Sequence, residues 1–130
     1  MEWKLDDSRP IWMQLEEQLT RRILSGWYKP GEKLPTVRDL AAEAGVNPNT
    51  MQRALTELER DGLVYSQRTA GRFVTEDQSM IDAAKRGLAE RHIQDFLAAM
   101  GQLGYKREEI VALLRQETCK EGITDGGAGM

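Results

Sequence analysis

One cysteine, Cys119, and one histidine, His92, are all that the 130 residues offer of the side chains that most often hold metals or form disulfides. A lone thiol excludes an intrachain disulfide and a cysteine metal cluster. A lone histidine excludes the paired-histidine zinc helix. The sequence also lacks a glycine-rich phosphate loop, a nucleophile elbow and a Cys-His pairing. The expectation is therefore no enzyme, no metal and no cofactor. His92, between Leu88 and Phe96 in the sequence, suits a dimer interface or a surface better than a ligand role. No apolar run is long enough to span a bilayer. Met1-Glu2-Trp3-Lys4-Leu5-Asp6-Asp7 has neither the basic start nor the apolar stretch of a secretion signal. The expected location is the cytoplasm, with no membrane partner.

Excess positive charge is missing as well. The formal net charge is −3, which counts against a strongly basic nucleic-acid binder. Its distribution points the other way. Residues 1–75 carry 11 basic and 11 acidic side chains, so the deficit belongs to the remainder. Between Ala44 and Thr56 the only charge is Arg53, and between Gly62 and Val74 the only charges are Arg68 and Arg72. Two acid-free stretches on a neutral domain allow local positive surface, with affinity leaning less on phosphate charge than in basic binders.

What is present is helical periodicity with clear punctuation. Ile11, Leu15, Leu19 and Ile23 form one apolar stripe, starting after Pro10 and ending at Gly26. Glu16, Glu17, Arg21 and Arg22 lie off it. A turn-rich connection follows through Pro30-Gly31. Thr36 and Asp39 resemble a capping box opening a second helix, whose buried face is the narrow set Val37, Leu40, Ala41 and Ala44. Gly45-Val46 makes a tight turn, and Asn47-Pro48 starts a third helix. Here Met51, Ala54, Leu55 and Leu58 face a core, while Asn49, Gln52, Arg53 and Thr56 run along the opposite side. An ordinary solvated face would carry more Glu and Lys. Leu63-Val64-Tyr65 and Arg72-Phe73-Val74 then read as a β-hairpin around the loop Ser66 to Gly71.

Three helices and a hairpin, with a short turn between the second and third helices, predict a winged helix-turn-helix over residues 1–75. In that motif the second helix of the pair enters the major groove. Arg suits guanine O6/N7, and Asn or Gln suits adenine N6/N7, so Asn49, Gln52 and Arg53 are the candidate base readers. A winged helix can instead serve as an adaptor that binds protein; the polar outer stripe favours DNA.

Residues 76–121 predict a helical dimerisation segment. Leu88, Ile93, Phe96, Leu97 and Met100 form one apolar face, Gly101 and Gly104 interrupt it, and Ile110, Leu113 and Leu114 form another. Two such helices bury too little to stand alone, and a second copy of the same segment is the simplest partner. Residues 122–130, rich in glycine, read as a disordered tail. The fold class is mainly α with a small β-hairpin: a winged helix-turn-helix followed by a two-helix dimerisation segment.

Pro30 to Ala41, Gly45 to Leu55 and Leu58 to Val64 together resemble the GntR family of bacterial transcriptional regulators, over roughly residues 9–75. The string Val46-Asn47-Pro48-Asn49-Thr50 and the short C-terminal segment are similar to its YtrA-like subfamily. The resemblance implies DNA contacts at Arg38, Asn47, Asn49, Thr50, Gln52, Arg53 and, on the wing, at Arg68, Thr69 and Gly71. Thr50 keeps two readings, base contact or helix-end hydrogen bonding. Many relatives carry arginine where this chain has Pro48, so one phosphate or base contact is absent. The resemblance further implies a homodimer that controls its own operon and neighbouring transporter genes; a two-fold dimer predicts a pseudo-palindromic operator of double-stranded DNA, and repression is the default reading because occluding polymerase needs no extra contacts. Any small-molecule effector would have to bind at the dimer interface or the interdomain hinge.

Overall fold

The computed structural model describes residues 2–121. The expected tail, 122–130, lies outside the described residues. The chain runs α1 (Ile11–Leu24), α2 (Val37–Ala44), α3 (Pro48–Arg60), β1 (Val64–Gln67), β2 (Gly71–Val74), α4 (Gln78–Gln102) and α5 (Arg107–Glu121). It is mainly helical with one antiparallel hairpin, as the periodicity predicts. Two compact units divide it, Met1–Arg86 and Gly87–Met130. Among the described residues no helix is long and apolar enough to cross a membrane.

The core of the first unit is built from the stripes read in the sequence. Leu15, Leu19 and Ile23 of α1 are buried with Leu40 and Ala41 of α2 and with Met51, Ala54, Leu55 and Leu58 of α3. Leu34, Leu63, Val64 and Val74 close it from the hairpin side, and Ile81 of α4 joins it. Each fully buried leucine contributes about 1.5–3 kcal/mol relative to exposure, so α3 is fixed along its whole inner face.

Two polar side chains of α1 are buried as well, against the expectation from the stripe. Gln14 donates through Nε2 to the Asp6 carbonyl (2.9 Å) and the Arg9 carbonyl (2.7 Å), and its Oε1 accepts from the Asp6 amide (3.0 Å). These bonds tie the segment before α1 onto the helix. Arg22 is 2% exposed. It donates to the Tyr28 hydroxyl (2.8 Å) and to Glu43 Oε1 (3.2 Å), and its guanidinium lies over the Trp3 ring. A buried charge is tolerated because it is paired and hydrogen-bonded. Burial raises the Tyr28 hydroxyl above its ordinary pKa, against the opposing hydrogen bond from Arg22. Trp27 is 53% exposed.

The connection after α1 does more than turn. Gly31 and Leu34 donate backbone hydrogen bonds to Val74 and Arg72, both at 2.9 Å, and Val74 donates to Glu32 at 2.9 Å. Lys33 thereby bridges Phe73 and lies beside the hairpin.

In the second unit α5 opens with the Lys106 amide donating to Glu109 Oε1 (2.8 Å), and Glu108 and Glu109 occupy its first turn, a placement the helix dipole favours. α4 begins at Gln78, four residues after β2. Asp77 accepts from the Ser79 hydroxyl (2.6 Å) and amide (3.0 Å), which holds its carboxyl below the usual range.

Candidate nucleic-acid interface

The turn between α2 and α3 is set by its punctuation. The Thr36 hydroxyl caps α2 by accepting from the Asp39 amide (3.1 Å). Gly45 ends α2 in the left-handed region, at φ +71, which glycine adopts without the cost of a Cβ. Val46 N–H then returns to the Ala41 carbonyl (2.9 Å). Asn47 starts α3 by accepting the Asn49 amide at 2.7 Å, with Pro48 in the first turn. Asn47 is thus a helix cap whose side-chain oxygen is already engaged.

On α3, Met51, Ala54, Leu55 and Leu58 are buried, and Asn49, Gln52, Arg53 and Thr56 are exposed. This rigid inner face behind a polar outer face is what base reading requires. Thr56 turns its hydroxyl back to the Gln52 carbonyl (2.9 Å). Thr50 is half-buried, and its amide bonds the Asn47 carbonyl (3.0 Å). Arg38, the second residue of α2, is exposed. Arg53 is not extended into open solvent: its guanidinium carbon lies 4.1 Å from the centre of the Trp12 ring on α1.

The wing is tighter than the sequence suggests. β1 and β2 pair in the register Val64↔Val74, Tyr65↔Phe73, Ser66↔Arg72 and Gln67↔Gly71, leaving Arg68-Thr69-Ala70 as the loop. Tyr65 and Phe73 stack across the strands at 5.7 Å. Gly71 has φ +110, and the Lys33 side chain passes 3.0 Å from where a Cβ would stand. A side chain at 71 would meet both strain and crowding. Glu59, late in α3, clamps the hairpin: it accepts from Arg72 Nε at 2.8 Å and from the Ser66 hydroxyl. Arg72 therefore serves the fold of the wing.

A groove of about 460 Å³ lies between the wing and the start of α2. It brings Arg68, Thr69 and Gly71 together with Lys33 and Thr36, and no acidic residue lines it. Arg38 and the outer residues of α3 do not line it. Lys33, Glu59 and Trp12 were not singled out as interface residues from sequence. The isolated bridge of Lys33 to Phe73, the 13-residue separation of Glu59 from Arg72 and the α1 origin of Trp12 leave no periodic signal.

In the second unit the residues expected at a dimer interface divide. Ile93, Phe96 and Leu114 are exposed, Leu88, Leu97, Met100 and Leu113 are half-buried, and Ile110 is already buried within the chain. Leu103, Tyr105 and Val111 add further exposed apolar surface.

Residues 13–74 match the family described as bacterial regulatory proteins, gntR family. An uncharacterized HTH-type transcriptional regulator of Bacillus subtilis (strain 168), YhcF, is 36% identical over 130 residues, covering 98% of this chain and 100% of that protein. The HTH-type transcriptional repressor YtrA of the same organism is 43% identical over 70 residues, 54% of each chain. A GntR family transcriptional regulator from Listeria monocytogenes superposes with a TM-score of 0.80 at 37% identity, over 86% of this chain and 98% of that one.

Proposed function

We propose a mechanism from one premise: this chain belongs to the gntR family of bacterial regulatory proteins. It is a DNA-binding transcriptional regulator and not an enzyme. Beyond that, our reading is a homodimer that binds a pseudo-palindromic operator and represses by occluding polymerase. The observation that carries it is the two-faced α3, with Met51, Ala54, Leu55 and Leu58 buried behind exposed Asn49, Gln52 and Arg53.

In this mechanism residues 1–75 bind DNA and residues 76–121 dimerise. Asn49, Gln52 and Arg53 meet base edges in the major groove. Arg38 and Thr50 anchor the helix pair. Asn47 holds the α3 N-terminus toward phosphate, where free backbone N–H groups and the helix dipole favour an anion. Arg68 and Thr69, on the loop that Gly71 closes, touch phosphate or the minor groove. Repression is supported by the likeness to YtrA, which is itself described as a repressor. Control of its own operon and of neighbouring transporter genes completes the proposal.

Selection of binding sites from random DNA, followed by footprinting of the full chain, tests this reading. The expected product is a two-fold site with half-sites about one helical turn apart or less. A single asymmetric half-site would overturn the dimeric operator. The genes themselves are identified by transcripts that rise when the regulator is deleted.

A further inference from the structure

We infer that Trp12 is a specificity-determining residue of this regulator, acting through Arg53, which it holds in the orientation that reads a base. The inference rests on the proposed reading of α3 and extends it to α1. The guanidinium carbon of Arg53 lies 4.1 Å from the Trp12 ring centroid. That distance is well inside the range of a cation–π contact, and tryptophan is the strongest aromatic partner.

The choice of partner matters for what Arg53 can do. A carboxylate would occupy the same N–H groups that a guanine needs and would cancel the charge. Binding DNA would then require breaking an ion pair. An aromatic face contacts the guanidinium without accepting conventional hydrogen bonds from its N–H groups, and Arg offers those donors in a planar fork. The fork therefore stays available for the O6/N7 edge of guanine. Glu57, one turn further along α3, is directed to Arg60 instead, at 3.7 Å. Arg53 is also the sole charge between Ala44 and Thr56, so its orientation decides where positive charge sits on the front half of α3.

Trp12 is suited to hold that orientation. It is half-buried beside Ile11 and three residues before Leu15, which is fully buried, and α1 packs on α3. A ring with two torsions, braced by a packed helix, restrains a long flexible side chain at little further entropic cost.

The test measures relative affinities of the full chain for its selected site and for every single-base variant of one half-site. Wild type, Trp12→Leu, Trp12→Phe, Arg53→Ala and the Trp12→Leu/Arg53→Ala double variant are compared. Trp12→Leu is expected to relax the preference by about 2- to 5-fold, the size of a partly exposed cation–π contact. The relaxation should fall at the same base pair that Arg53→Ala relaxes, with affinity for random DNA unchanged. Trp12→Phe should lie between wild type and Trp12→Leu, and it carries the comparison if Trp12→Leu unfolds. In the Arg53→Ala background the change at Trp12 should do nothing more. An unchanged preference in both Trp12 variants, a uniform loss over all sequences, or full additivity in the double variant would overturn the role of Trp12 while leaving base reading by Arg53 intact. An unchanged preference in Arg53→Ala would overturn base reading by Arg53 itself, and Trp12's role with it.

Discussion

The guanidinium of Arg22 lies 4.2 Å from the centre of the Trp3 ring, and both residues bond the same carboxylate oxygen of Glu43. Trp3 precedes α1, Arg22 lies in its last turn, and Glu43 belongs to α2. One buried cation thus ties the N-terminal segment and α1 to α2 of the helix-turn-helix pair. Trp3→Ala removes the aromatic face and one hydrogen bond. The predicted cost is about 1–2 kcal/mol. Arg22→Met keeps the bulk but removes bonds to Tyr28 and Glu43, for about 2 kcal/mol. Denaturation by urea measures both. A midpoint unchanged by Arg22→Met would show that the cluster contributes nothing net.

Tyr28 carries a pH prediction from the same cluster. Burial holds its hydroxyl pKa above the ordinary value of 10.0. The folded state therefore keeps the phenolic proton more tightly than the unfolded chain. Its contribution is fully present below about pH 10 and is lost as pH rises through the folded-state pKa. Tyr28→Phe should flatten the fall in stability above pH 10 relative to wild type. Parallel stability profiles for the two proteins would refute the assignment.

Arg22 also shows where sequence reasoning stops. It lies off the apolar stripe of α1, beside Arg21, and periodicity assigns both to solvent. Arg21 is exposed, whereas Arg22 is buried, because Trp3, Tyr28 and Glu43 supply partners from outside the helix. Gln14 is the same case, with partners at Asp6 and Arg9. The α2–turn–α3 pair was readable because its signals are local: Thr36, Gly45, Asn47 and Pro48 each act within a turn of their own position. Ser66 and Gln67 joined β1 through backbone pairing with Arg72 and Gly71, which side-chain patterning does not report. The outer face of α3 could be read from sequence; the resting contact of Arg53 on Trp12 could not.

The wing prediction separates anchoring from reading. Arg68 and Lys33 line one acid-free groove. Arg68→Ala and Lys33→Ala should each weaken operator and random DNA alike and lower the salt slope by about one per subunit. Arg53→Ala should instead cost about 1–3 kcal/mol on the operator and relax one base pair per half-site. Leu55→Ala is the control: its side chain is 1% exposed, and its loss should lower stability by about 2–5 kcal/mol. Binding titrations across a salt series distinguish the three classes. A wing variant that alters base preference without changing the salt slope would make the wing a reader.

The last prediction concerns assembly. Ile93, Phe96 and Leu114 are 53%, 38% and 46% exposed in the single chain. Large apolar side chains left exposed along α4 and α5 point to a missing partner, since helices gain most of their stability from packing an apolar face. A second copy would cover them and set two α3 helices on one two-fold operator. Phe96→Asp places a charge in that surface. It should convert the protein from dimer to monomer in sedimentation at micromolar concentration. The first unit, whose core does not include Phe96, should keep its thermal transition. Operator affinity should fall steeply while affinity for an isolated half-site and the preference within it stay the same, because the proposed reading residues lie on α3. Monomeric wild-type protein at that concentration would refute the dimer. A Phe96→Asp variant that remains dimeric would move the interface away from this face of α4.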